Sequence, residues 1–443
     1  MADITYICKR TVVSTKPVQP GKHFSLSVLD RLMEQNHLRF VYYFRAPGEI
    51  REPGELTEKL RESMSEMLTC FPIVTGRLMK NPEGQWMIKC NDAGVRMVEA
   101  RIKGSVENWL KGVDREKELK LVHWEEMDHK PYFWSTFYVQ ITEFEEGGVA
   151  IGLSCLHLLA DPTCASMFVK AWADMTLTGK MLNNPPLSHQ LPPRGPAGRK
   201  NPSHDQPSME LINCYKSIAD KTNLVSTDAN HATIALAFSD PMVRAMAASD
   251  QSSPSPFEAL AALFWVCISK LKGEGDGLID MSVCSDMRSV LNLDNGFFGN
   301  CMVYNRVNSK NLKGQRLPDV AKAIGEVMSE MDKDGIIDLI EWLEHNDHQS
   351  PPTMNVCDLI CASLEAVDPY LAVFEEDLIP VRVSCYVEPV VGVGHVLVLP
   401  SPPGEGPFSR VVMVTLPEDE AVRLCEDDLI LSFSPTILMG VNN

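Results

Sequence analysis

The sequence predicts a two-domain α/β fold, and three observations carry that prediction. The chain has 443 residues, 44% of them apolar, enough to build two packed cores. Strand-like and helix-like segments follow one another in both halves. Between the halves, residues 183–207 read NNPPLSHQLPPRGPAGRKNPSHDQP, too rich in Pro and polar residues for a core. The expected division is an N-terminal domain over 1–182, a linker or crossover over 183–208 and a C-terminal domain over 209–443, with a segment near 355–380 returning to pack with the N-terminal domain.

In chain order, Leu26, Leu29, Leu32 and Met33 predict a short helix with Asp30, Arg31 and Glu34 on its wetter side. The aromatic and β-branched run Phe40 to Phe44 suits a strand. After Pro53 and Gly54, the helical spacing of Leu56, Leu60, Met64, Met67 and Leu68 predicts a helix that stops near Phe71 and Pro72. A hairpin is expected from Phe137, Val139 and Ile141 through Glu145 to Gly148 into Val149, Ile151 and Leu153, because paired glycines allow the chain to reverse. A helix follows Asp161, with Pro162 in its first turn and Ala165, Phe168, Val169 and Trp172 as its apolar stripe. The second half predicts a strand at Thr233 to Phe238, helices through Phe257 to Ile268 and Val320 to Met331, three short strands between Val381 and the VVMV run, and a helix over Glu418 to Cys425.

Composition removes several classes of function. Lys plus Arg number 41 against 59 Asp plus Glu, a net charge of -18, which argues against a broad phosphate-binding surface and against nucleic acid as a partner. The 13 Cys are odd in number and lack CxxC spacing, so neither a zinc ribbon nor a disulfide scaffold is expected, and a reducing compartment fits. No stretch approaches the ~20 apolar residues that cross a bilayer, and the N-terminus lacks an apolar signal core, so no transmembrane segment is expected. LKGEGDG, which contains Lys272 to Gly277, lacks the Walker spacing and reads as a surface turn. Arg96, Arg288 and Lys270 offer charge without a pattern that makes any of them a phosphate ligand.

The chemistry-bearing string is CLHLLAD, which places His157 where a strand opens into a helix and Asp161 four residues on. A histidine at a cleft can take a proton from an alcohol or amine as that nucleophile attacks an acyl carbonyl. Asp161 can fix the turn or hold a cation, and an HxxxD string by itself is more often a structural pair.

HLLAD resembles the active-site signature of plant BAHD acyl-CoA-dependent acyltransferases. FPIVTGRL at 71–78, KCNDAGVRMVEA at 89–100, SDMR ending at Arg288 and FFGN at 297–300 resemble further family segments, spread over nearly the whole chain. The resemblance implies two chloramphenicol-acetyltransferase-like α/β domains with a channel between them, His157 as general base, and Asp161 in a structural role paired with Arg288. It implies acyl-CoA as a substrate with a small-molecule acceptor, and no metal or redox cofactor; the residues that bind CoA stay unassigned.

One stretch departs from the family. Where its active members carry DFGWG, this chain has FEEDLIP at 374–380, without the glycines and with Glu375, Glu376 and Asp377 side by side. That loss makes the chain most similar to the ECERIFERUM2-like branch, whose members support a ketoacyl-CoA synthase in very-long-chain fatty acid elongation for cuticular wax. The resemblance therefore implies an accessory role at the cytosolic face of the endoplasmic reticulum, reached through that partner. Active acyl transfer by a cytosolic enzyme is the alternative. The FEEDLIP acids themselves read as a solvated charge cluster.

Overall fold

The structure is a computed structural model that describes residues 4–16, 21–45, 52–126, 131–182, 185–188, 190–192, 206–219, 230–248, 254–273, 277–309, 312, 314, 316–346, 358–390 and 392–440. The chain divides into two compact units. The first comprises 1–189, 294–300 and 368–388; the second comprises 190–293, 301–367 and 389–443. Each unit holds a large sheet with helices against it, the two-domain α/β arrangement expected from the sequence.

In the first unit, six described strands run in the order Ile4–Val12, Val95–Ile102, Phe137–Phe144, Val149–Leu156, His37–Phe44 and Pro380–Glu388. Neighbours are antiparallel except for the parallel pair Val95–Ile102 and Phe137–Phe144. The central hairpin turns where Gly147 and Gly148 have φ of 109° and 97°, backbone that a side chain resists. Register sets two different faces, since directly opposed residues share a side of the sheet. Leu38, Phe40 and Tyr42 lie with Leu153, Cys155 and Phe137 on the apolar face. The helix Pro162–Thr178 seats Phe168 on Phe137, with ring centroids 5.2 Å apart. Trp172 of that helix donates its Nε1–H to the Leu60 carbonyl at 2.9 Å, tying it to the helix Glu55–Leu68.

The opposite face carries His37, Arg39, Val41 and Tyr43 from one strand and Ser154, Gly152 and Ala150 from the next. Residues 113–126 cover it. Leu121 and Val122 pack with Val41, Tyr43 and Ala150, and a Cβ on Gly152 would stand 2.0 Å from the Leu121 carbonyl oxygen, so only glycine admits this approach. The buried carboxylate of Glu118 accepts from Tyr43 Oη at 2.9 Å, from Ser384 Oγ at 3.0 Å and from Tyr386 Oη, with Arg382 at 3.8 Å. Two of those hydroxyls and the arginine belong to Pro380–Glu388, which explains why the strand returns from far along the chain.

Residues 368–388 group with the first unit, and 380–388 of them pair with His37–Phe44 and supply the Glu118 hub. Within the expected linker, Leu187 exchanges backbone hydrogen bonds with Gly296 and Phe298 at 2.7 and 2.9 Å, so this part is paired in the first unit and does not drape over a surface. The helix Gln206–Ala219 begins inside the linker's expected bounds, while 193–205 lie outside the described residues. The first helix is only Val28–Arg31, and Asp30 is buried rather than wet.

In the second unit, seven described strands run in the order Met302–Val307, Met281–Asp286, Leu359–Ser363, Gly394–Pro400, Arg410–Pro417, His231–Phe238 and Thr436–Met439. The helix Pro256–Leu271 opens with a capping box, in which Ser255 and Glu258 satisfy each other's backbone N–H groups. It buries Phe264 against Phe238, ring centroids 6.0 Å apart. The acidic stretch around Glu341 and Glu344 is itself a helix, Lys333–His345, capped by Asp332.

Candidate functional site

His157 follows the strand Val149–Leu156 directly, and its N–H donates to the Asn36 carbonyl at 3.0 Å. The side chain is buried, and its Nδ1 lies 2.9 Å from Asn300 Oδ1. The Asn300 amide nitrogen donates to Asp30 Oδ1 and to the His157 carbonyl, each at 2.8 Å, and the Asn300 backbone N–H also donates to Asp30 Oδ1 at 2.8 Å. Asp30 Oδ2 accepts from the Ser27 N–H at 2.7 Å.

These contacts choose a tautomer. Both acceptors facing the Asn300 amide nitrogen are oxygens, so the amide oxygen must be the end turned to His157. A carbonyl oxygen only accepts, so Nδ1 carries the hydrogen and Nε2 keeps the lone pair. Burial, the largest cause, pushes the His157 pKa below its usual value, with Asp161 and Asn300 opposing. The ring is thereby held neutral with its basic nitrogen defined, which is what a general base requires.

Asp161 sits at the head of Pro162–Thr178, fully buried, and its Oδ1 accepts the Cys164 N–H at 2.9 Å, with Pro162 in the first turn. Cys164 Sγ accepts the Gly299 N–H at 3.2 Å, so the capped turn also steadies the FFGN segment that carries Asn300. Arg288 belongs to the second unit, where it donates to Asp286 Oδ2 at 2.7 Å. His157, Asp161, Asn300 and Asp30 all belong to the first.

FEEDLIP turns tightly, with Glu376 and Asp377 exposed as a solvated charge cluster requires and Glu375 drawn inward. Glu375 and Leu378 form a β-bridge, Lys59 Nζ donates to Glu375 Oε1 at 2.5 Å, and Phe374 and Leu378 are fully buried. Phe374 stands edge-on to both Trp172 and Phe44, at 4.9 and 5.6 Å. The Phe374 ring thus anchors this turn, in which no residue has the positive φ that would call for glycine.

The sequence reading missed Asp30 and Asn300 as site residues. Ser27 and Asp30 carry the S-x-x-D spacing of a capping box, which was the available signal for a turned-in carboxylate. Asn300 ends the family-like FFGN segment, but nothing local ties it to His157, 143 residues away. Among the described residues no group of His, Cys, Asp and Glu could hold a metal ion, and no helix is long and apolar enough to cross a membrane.

The chain matches the Transferase family over residues 2–425. It is 25% identical over 414 residues to Protein ECERIFERUM 26-like of Arabidopsis thaliana, covering 94% of this chain and 92% of that relative. The crystal structure of vinorine synthase superposes with a TM-score of 0.72 at 20% identity, covering 99% of both chains. TRI101 of F. sporotrichioides, complexed with coenzyme A, gives a TM-score of 0.68 at 13% identity, covering 94% of this chain and 100% of that one. The fold is that of BAHD acyltransferases, with two sheet-containing domains of the chloramphenicol-acetyltransferase-like kind.

Proposed function

Because the chain belongs to the Transferase family, we propose that it transfers an acyl group from acyl-CoA to an alcohol or amine, with His157 as general base. The observation that carries this reading is the buried, neutral His157 whose Nδ1–H is fixed by Asn300 and Asp30. The acceptor gives its proton to Nε2 as its oxygen or nitrogen attacks the thioester carbonyl. The tetrahedral oxyanion collapses, the carbon–sulfur bond breaks, and the proton passes from His157 to the departing CoA thiolate. No acyl-enzyme forms and no redox step is needed. The complex of TRI101 with coenzyme A supports acyl-CoA as the donor here. Asp161 is part of the same proposal, as the cap of its helix and not a relay.

Acceptor-dependent release of free CoA by the purified chain tests the proposal. Replacing His157 by Ala is expected to lower the rate ~10²–10⁴-fold; an unchanged rate would sink it.

The accessory role implied by the sequence stands second, favoured by the ECERIFERUM 26-like relative and by FEEDLIP in place of a glycine turn. On that reading a ketoacyl-CoA synthase is the partner and brings the protein to the endoplasmic reticulum. Longer elongation products with both wild type and His157→Ala, without acceptor-dependent CoA release, would establish it over the transferase.

A further inference from the structure

Beside His157, on the polar face of the first unit's sheet, lies a cluster of donors that the transfer chemistry does not use. His37 is opposed to Leu156, the residue before His157, and Arg39 to Ser154. The Trp124 ring stacks on the His37 ring at 4.2 Å between centroids and 9° between planes. Arg39 Nη2 lies 3.0 Å from His37 Nε2. A guanidinium only donates, so His37 Nε2 accepts and the ring is neutral; burial first, then the charges of Arg39 and His157, pushes its pKa down to about 3. Arg115, at the start of the helix Arg115–Leu119, donates to Glu388.

Three N–H groups here have no partner. Arg39 Nε, Arg115 Nε and Trp124 Nε1 are buried atoms with no hydrogen-bond acceptor among the described residues. The charges that act on Arg39 are Arg115, Glu388 and the exposed Glu126. The Arg115 side chain retains 19% exposure, so the cluster is within reach of a solute. Unpaired buried donors are costly and rare, and N–H groups of two guanidiniums and an indole suit an oxyanion acceptor.

We infer that Arg39, Arg115 and Trp124 form an oxyanion subsite next to His157 that takes the carboxylate of the acyl acceptor. This rests on the transferase reading and narrows its acceptor to a hydroxy or amino acid. The guanidiniums hold the carboxylate, the indole N–H caps it, and the nucleophilic group at the acceptor's other end is directed to His157. Arg39 acts on specificity, while the proton transfer belongs to His157.

Binding, read by calorimetry without turnover, tests the subsite apart from catalysis. The probes are 3-(4-hydroxyphenyl)propanoate, its methyl ester and CoA, titrated into wild type, Arg39→Met, Trp124→Phe and His157→Ala. The acid is expected to bind wild type and His157→Ala roughly tenfold or more tightly than the ester, with the preference lost in Arg39→Met and reduced in Trp124→Phe. Equal binding of acid and ester by wild type, which needs no variant to fold, overturns the inference; so does a preference that survives in Arg39→Met. Loss of CoA affinity in Arg39→Met, with CoA displacing the acid, would assign the subsite to a phosphate of the donor and overturn it too. Retained acid preference without any acceptor-dependent CoA release would leave the subsite standing and sink the transferase reading alone.

Discussion

Asn300 shows how little separates a structural histidine from a base. Its amide is oriented by the Asp30 carboxylate and the His157 carbonyl, and that orientation alone decides which imidazole nitrogen holds the proton. Asn300→Ala should therefore lower kcat at least about tenfold while KM for the acceptor changes little. A purely structural asparagine would instead lower the melting temperature and leave kcat per folded molecule intact, so rate and thermal unfolding measured together separate the two. His157 and Asp161 were legible in the sequence because HLLAD is a local string. Their supports were not, because Asp30 and Asn300 converge through tertiary folding from distant parts of the chain.

At the scale of elements, periodicity found most of the helices and strands. The helix Glu55–Leu68 ends three residues before Phe71, as Phe71 and Pro72 require, and Glu418–Cys425 falls on its expected bounds. Lys333–His345 escaped because its charges hid the spacing of Ile336, Leu339, Ile340 and Leu343, all buried. In FEEDLIP the exposed acids Glu376 and Asp377 were legible as solvated, while the burial of Phe374 and Leu378 that fixes the turn was not. Phe374→Ala is expected to cost about 3–5 kcal/mol in urea unfolding. Lys59→Met, which removes only a pair whose lysine is half exposed, should cost under about 1 kcal/mol; equal costs would mean that the ion pair, and not the ring, holds the turn. Gly152 makes a second element-level claim. Gly152→Ala drives a Cβ into the Leu121 backbone and should destabilise by about 1–3 kcal/mol, whereas Gly112→Ala, whose Cβ would meet nothing within 4 Å, should stay near wild type.

For the whole molecule, length and the Pro-rich break were enough to anticipate two domains, but not their discontinuity. A strand drawn from 380–388 completes the first unit's sheet, and 294–300 delivers Asn300 to His157, so the first unit needs sequence from both sides of the second. Hydropathy cannot show this, since a returning strand looks like any other strand. This chain thus assembles the surroundings of His157 from three separate stretches, and the proposed transfer stands on that histidine being neutral before the acceptor arrives. The most direct test is the pH profile of kcat/KM for acceptor-dependent CoA release by wild type and His157→Ala. A base must be unprotonated to act, and burial lowers the His157 pKa below its ordinary 6.5, so the acid limb of the wild-type profile should be centred below pH 6.5. The residual rate of His157→Ala should lack that acid limb. A limb centred at or above 6.5, or one that persists unchanged in His157→Ala, would contradict the account.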